Sequence, residues 1–202
     1  MNHPPAHLAH LSRDPILEQT LTPHDPCRLT MQPEIWLQVC DAVISQQLNT
    51  RVARILQQRL RQVLGAGKPR AERLREIPFD TLKGIGLSRS KTEYLRNIAD
   101  YFIQEKLTDR QLQALPDEDV IESLTRIRGV GRWTAEMVLM FALGREDVFA
   151  VNDLGIRQKM TYLYGVDPSN AKVLTDNLIR ISEAWRPYRS YACLYLWRFS
   201  SK

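Results

Sequence analysis

Apolar residues recur along this chain at intervals of three and four, and never in the strict alternation of a half-buried strand. The pattern therefore predicts helices throughout, an all-α fold. Ile35, Trp36, Val39, Val43 and Ile44 make one stripe, with Pro33 suited to a first helical turn. Val52, Ile55, Leu56, Leu60, Val63 and Leu64 make a second stripe that stops at Gly65. Ser88 reads as the N-cap of a helix whose inward face is Tyr94, Leu95, Ile98, Ala99, Phe102 and Ile103. Thr108 and Gln111 have the spacing of a capping box. Asp117 is placed to cap a helix with Val120, Ile121 and Leu124 inward. The next helix carries Ala135, Val138, Leu139 and Ala142 before Gly144 ends it. Asp153 precedes a further helix, and a last pair runs from near Asn170 to Trp185 and from Pro187 to Trp197.

A chain of 202 residues suits one compact domain or two small subdomains, and no linker or low-complexity tract divides it. The net charge of +5 is unevenly placed, with Arg51, Arg54, Arg59, Arg61, Lys68, Arg70, Arg73 and Arg75 interrupted only by Glu72. Such a run suits a polyanion, although a helix face that meets water is often Arg-rich as well. Cys27, Cys40 and Cys193 are odd in number and far apart, which predicts small core residues rather than a disulfide framework or a metal knuckle. His3, His7 and His10 share a helical spacing, but so near a chain end the ordinary terminus is preferred over a metal site. No segment has the length of a membrane span, and Met-Asn-His-Pro-Pro lacks the basic-then-apolar order of a secretory signal. The expectation is a soluble intracellular protein, in cytoplasm and nucleoid or in a nucleus.

The chemistry concentrates in the run from Leu124 to Ala135 and in Asp153, eighteen residues beyond it. Gly129-Val130-Gly131 allows a tight turn between two helices and keeps side chains out of the way of an approaching phosphate. That phosphate would meet the N–H groups at the helix start from Arg132, where unpaired donors and the positive dipole end favour an anion. Arg126, Arg128 and Arg132 add charge around the turn. The plainer reading is ordinary glycine turn chemistry. Asp153 likewise reads as an N-cap, and the two roles are compatible, because a carboxylate fixed at a helix start is held as an anion. Cleavage of a nucleoside leaves positive charge on the sugar, which a preorganised carboxylate stabilises while orienting the attacking water.

The hairpin with Asp153, together with Ile44-Ser-Gln-Gln-Leu48, Gly86-Leu-Ser-Arg-Ser-Lys91, Asp147-Val-Phe-Ala-Val-Asn-Asp153 and Trp185-Arg-Pro-Tyr-Arg-Ser-Tyr-Ala192, resembles the helix-hairpin-helix (HhH-GPD) DNA glycosylase superfamily, in its alkylpurine or 3-methyladenine branch. The resemblance covers most of the chain. It implies two helical subdomains flanking a cleft within one domain of residues 1–202, roughly 30–145 as a helical barrel with the hairpin and 1–29 plus 146–202 as a terminal subdomain. The hairpin and Asp153 would lie at the mouth between them.

The resemblance also implies the activity: a monofunctional DNA glycosylase that flips an alkylated base out of duplex DNA and hydrolyses its glycosidic bond in base excision repair. Asp153 is then the catalytic residue. Gly129, Val130, Gly131, Arg132 and Thr134 bind DNA, Gln47 plugs the vacated space and Asn49 probes the minor groove; both amides also fit simple helix ends. Trp133, Trp197 and Tyr191 match pocket aromatics that would face a cationic alkylated base, or they fill the core. Leu48 reads as core. Met137 replaces an aromatic found in a longer bacterial member, whose extra N-terminal domain the residues before Asp14 are too few to supply. Relatives that also cut the backbone carry a lysine at the place of Trp133, and only an amine forms a Schiff base. No catalytic metal or redox cofactor is expected. The four-cysteine cluster of one branch cannot form, and a structural monovalent cation at the hairpin is left open by analogy. The expected partner is double-stranded DNA with alkylated bases, bound by a monomer. The lesion remains open among 3-methyladenine, 7-methylguanine, 1-methyladenine, 3-methylcytosine and hypoxanthine. The rival reading is a non-catalytic protein that binds damaged or branched DNA.

Overall fold

The structure is a computed structural model and describes residues 5–200. In chain order its helices are α1 (Ala6–Leu11), α2 (Ile35–Ser45), α3 (Thr50–Leu64), α4 (Ala71–Glu76), α5 (Phe79–Gly84), α6 (Arg89–Gln104), α7 (Asp109–Ala114), α8 (Asp117–Thr125), α9 (Arg132–Phe141), α10 (Leu154–Tyr164), α11 (Ala171–Ser182) and α12 (Arg189–Arg198). Short 3-10 turns occupy Leu17–Thr20 and Glu183–Trp185, and no strand occurs among the described residues. The chain divides into two compact units. One is Met31–Leu143; the other joins Met1–Thr30 to Gly144–Lys202.

In the central unit α2 packs against α3, α6 and α9, α4 and α5 pack on α6, and α8 pairs with α9. Val39, Cys40, Val43 and Ile44 of α2, Leu95, Ile98 and Ala99 of α6, and Ala135 and Leu139 of α9 are fully buried. Each large aliphatic among them contributes about 1.5–3 kcal/mol of burial free energy. The start of α2 is not capped locally. Pro33 precedes the helix, Glu34 takes a left-handed conformation at φ 54°, and both oxygens of Asp109 accept the amides of Glu34 and Ile35 at 2.8 and 3.0 Å. The Thr108 capping box is present in full. Asp117 is the first residue of α8 rather than its cap, which is Pro116; with Glu118 and Asp119 it places three carboxylates at the positive end of the helix.

The face that α3 buries differs from expectation by one position. Ala53, Leu56, Leu60 and Leu64 point inward, whereas Val52 and Ile55 are exposed. Ala53 lies on the i, i+3, i+7, i+11 line that the geometry selects, and the larger neighbours flank it.

The terminal unit is organised around Asp14 and Trp185. The fully buried Trp185 donates its indole N–H to Asp14 Oδ2 at 2.9 Å, the Tyr164 hydroxyl donates to the same oxygen at 2.7 Å, and the amides of Ile16 and Leu17 donate to Oδ1. Burial alone would raise this carboxyl; the four hydrogen bonds outweigh it and hold Asp14 below its ordinary value. α10 packs on α12, and α12 on the Leu17–Thr20 turn. Cys27, Cys40 and Cys193 are buried free thiols in the two cores. His7 is buried and stacks on Tyr191 at 4.0 Å between ring centroids, while His3 lies outside the described residues.

Candidate nucleic-acid interface and catalytic carboxylate

In the hairpin between α8 and α9 the two glycines do different work. Gly129 sits at φ +102°, and a Cβ there would lie 2.2 Å from Cγ of Tyr94, so the turn rests directly on that ring. Gly131 has an ordinary φ of −94°, which any residue adopts, but it is the N-cap of α9 and a Cβ on it would project into open space. Gly131 therefore leaves the helix start open from outside. Asn97 donates to the carbonyl of Arg128 at 3.2 Å and holds the turn from α6. The Val130 side chain is buried and its amide donates to Ile127 O at 3.0 Å, so Val130 anchors the turn. The first backbone bond of α9 runs from Ala135 N to Gly131 O, which leaves the amides of the first turn directed along the axis at the positive dipole end.

Two residues expected to face DNA are engaged inside the unit. Arg132 reaches Glu118 at 2.7 and 3.0 Å and Glu136 at 3.1 Å. Thr134 is buried, with its hydroxyl accepting the Gln46 amide at 2.9 Å. The basic run is also partly neutralised: Arg61 pairs with Asp41, Lys68 with Glu34, Arg73 with Glu76 and Arg75 with Asp100, while Arg59 keeps its charge and donates to Ile85 O. It is not one continuous cationic face.

The turn after α2 presents Gln47 and Leu48, both exposed. Gln46 at φ −52°, ψ 128° and Gln47 at φ +56° describe a type II turn closed by Leu48 N to Ser45 O, with glutamine where glycine is favoured. A left-handed non-glycine residue is worth attention as a functional position. Leu48 is 37% exposed, contrary to the core assignment, so an apolar side chain stands beside Gln47 at the tip. Asn49 caps α3 by accepting Val52 N at 2.9 Å, which realises its helix-end reading. On α9, Trp133 is half-buried and Met137, one turn on, is buried.

In the terminal unit Asp153 is the N-cap of α10. Its Oδ1 accepts Ile156 N at 2.9 Å and the indole N–H of Trp197 at 2.9 Å. A backbone donor and a side chain from α12 thus fix one carboxylate at a helix start. Gly155 makes room for this pair, since a Cβ there would lie 3.1 Å from Asp153 Oδ1 and 3.5 Å from the Trp197 ring. Trp197 is accordingly a partner of the carboxylate, a role that sequence alone did not assign. Tyr191 has a different place from the one expected: it is buried, one face is covered by His7, and its hydroxyl donates to Glu146 at 2.8 Å.

The family model for the HhH-GPD superfamily of base excision DNA repair proteins matches residues 40–186 of this chain. The chain belongs to that superfamily. Among its relatives, the DNA-3-methyladenine glycosylase 1 of Schizosaccharomyces pombe is 34% identical over 177 residues, spanning 87% of this chain and 76% of that protein. The structure of the Schizosaccharomyces pombe 3-methyladenine DNA glycosylase in complex with abasic DNA superposes with a TM-score of 0.83 at 32% identity, covering 95% of each chain. The DNA-3-methyladenine glycosidase of Bacillus halodurans gives a TM-score of 0.78 at 31% identity, covering 96% of this chain and 88% of that one. The HhH-GPD match spans the Gln47 turn, the hairpin and Asp153; Tyr191 and Trp197 lie beyond it. Gly155 is a candidate residue that the sequence did not single out, and Leu48 is one that it assigned to the core. An apolar residue between two amides, and a glycine two places after an N-cap, were the signals present.

Proposed function

We propose that this HhH-GPD protein is a monofunctional glycosylase that removes alkylated bases from duplex DNA by hydrolysis and leaves an abasic site on an intact strand. The observation that carries the proposal is the Asp153 carboxylate, fixed at the start of α10 by Ile156 N–H and the Trp197 indole, in a chain whose hairpin carries Trp133. The glycosylase activity itself follows from the superfamily and from relatives named DNA-3-methyladenine glycosylases.

The steps follow from the residues. Phosphates dock at the open start of α9 beside Gly131. Gln47 and Leu48 enter the stack as the nucleotide rotates out, the amide meeting base edges and the leucine stacking between them. Trp133 offers its ring face to the extruded base, and a base made cationic by alkylation is drawn to that face and leaves more readily. As the bond lengthens, Asp153 stabilises the positive sugar and orients water. Trp133 offers no amine, so no Schiff base forms. Water and a carboxylate suffice for this hydrolysis, and we infer a monomer that works without metal or redox cofactor. A monovalent cation at the hairpin carbonyls is compatible with the same scheme. No helix among the described residues is long and apolar enough to cross a membrane.

The test is incubation with methylated duplex DNA, chromatography of the released bases, and borohydride treatment of the reaction. Free alkylated base without a trapped protein adduct is expected, and the chromatogram assigns the lesions. An adduct contradicts the monofunctional reading; absence of base release from this DNA contradicts alkylbase excision and favours a non-catalytic DNA-binding protein.

A further inference from the structure

One face of α6 supports both DNA-directed elements of the central unit. Lys91, Tyr94 and Asn97 recur at steps of three residues along it and so lie on one side of the helix. Tyr94 lies under Gly129, and Asn97 holds the Arg128 carbonyl. Lys91 reaches the other element: its Nζ donates to Ile44 O at 2.7 Å and Gln46 O at 2.8 Å. These carbonyls belong to the last turn of α2 and to the central peptide of the strained Ser45–Leu48 turn. An ammonium there completes orphan carbonyls at the negative end of a helix and holds the peptide that sets Gln47 left-handed. A second tie runs directly across. The Gln46 amide donates to Gly129 O at 3.1 Å and to Thr134 Oγ1 at 2.9 Å, joining the turn to the hairpin and the first turn of α9.

The Gln47–Leu48 tip is therefore not an independent loop. Its backbone is fixed from below by Lys91 and from the side by Gln46, and both ties end on the scaffold that holds the phosphate-facing turn. A side chain on a loose loop cannot push a paired base from the stack, because the loop yields first. On a tied loop, binding at the hairpin is transmitted to the tip.

We propose that Lys91 and Gln46 are positioning residues that lock the Gln47–Leu48 tip to the hairpin, so that phosphate binding drives extrusion of a paired base. The inference rests on the glycosylase reading above and adds residues that touch neither base nor sugar.

The test uses the whole protein and two duplexes carrying 7-methylguanine, one with cytosine opposite and one with an abasic site opposite. The second needs little work to expose the lesion. Lys91→Met removes the charged donor at similar length, Gln46→Met removes the lateral tie, and Lys91→Arg keeps a cation. Single-turnover excision from the paired duplex is expected to fall by roughly ten- to hundredfold in both methionine variants, the scale of lost charge-assisted and buried hydrogen bonds. On the duplex with the abasic site opposite, the same variants are expected within about threefold of wild type, with Lys91→Arg intermediate on the paired duplex. Fluorescence of 2-aminopurine beside the lesion should show slower extrusion. Equal loss on both duplexes, or no loss on either, overturns the proposal. If Lys91→Met fails to fold, Gln46→Met and Lys91→Arg decide on the same comparison. A wild type that releases no base from any methylated duplex contradicts the glycosylase reading itself, whereas wild-type release with unaffected variants contradicts only this inference.

Discussion

Two helices in this protein begin with the same physics and use it oppositely. At the start of α9 the cap is Gly131, with no side chain and open space where one would stand, so the positive end is offered to an anion from outside. At the start of α10 the cap is Asp153, whose carboxylate occupies that place and is held there by Ile156 N–H and Trp197. On the proposed function, one helix start receives a phosphate, and the other keeps a carboxylate ready for a positive sugar. The residue at the cap decides which, and the contrast predicts that DNA binding and bond cleavage separate under mutation.

The largest expected effect on duplex affinity comes from converting the first helix start into the second. Gly131→Asp places a capping carboxylate where backbone and space both allow it. α9 should gain roughly a few tenths of a kcal/mol of stability, while duplex affinity falls by roughly tenfold or more at low salt. Thermal melting beside a fluorescence titration reads both, and retained affinity would show that phosphate docks elsewhere. Next, Trp197→Phe keeps the ring and removes the N–H that Asp153 accepts. Excision is expected to fall by roughly tenfold, the value of one hydrogen bond to a charged group, with duplex affinity unchanged. A smaller loss follows from Gly155→Ala, whose methyl would press on Asp153 Oδ1 from 3.1 Å. Excision should drop by about two- to fivefold although alanine favours the helix by up to about 1 kcal/mol, so activity and melting temperature move in opposite directions.

The smallest effect concerns Asp14, a carboxylate also fixed by N–H donors but serving the fold. Its value in the folded chain lies below the ordinary 3.8, so the unfolded chain takes up the proton more readily. This contribution is therefore complete above pH 3.8 and is lost as the pH falls through the folded value. Acid melts followed by tryptophan fluorescence should show wild type losing stability there. Asp14→Asn should show a shallower acid slope over the same range.

Legibility in the sequence follows the range of the interactions. The all-α pattern, the Ser88 and Asp153 caps, the Thr108 box and the glycine turn were readable because each lies within a few residues. Asp109 capping α2, Tyr94 under Gly129 and Trp197 on Asp153 join residues 35 to 75 positions apart, and no local pattern announces them. The same limit explains the partners that the sequence did not announce. Arg132 and Thr134 stand in a motif that suggests DNA, yet remote or buried partners engage their side chains. Leu48 looked internal because leucine usually is. For α3, the large apolar residues outweighed Ala53, which the helical geometry selects.

The central claim is that the charge of Asp153, and not its cap, performs the chemistry. Asparagine caps a helix as well as aspartate does, so Asp153→Asn changes the charge and leaves the helix start in place. Single-turnover excision from methylated duplex DNA, measured beside duplex affinity, is expected to fall by roughly a hundred- to thousandfold with affinity within about threefold of wild type. Full excision by the asparagine variant would contradict the account.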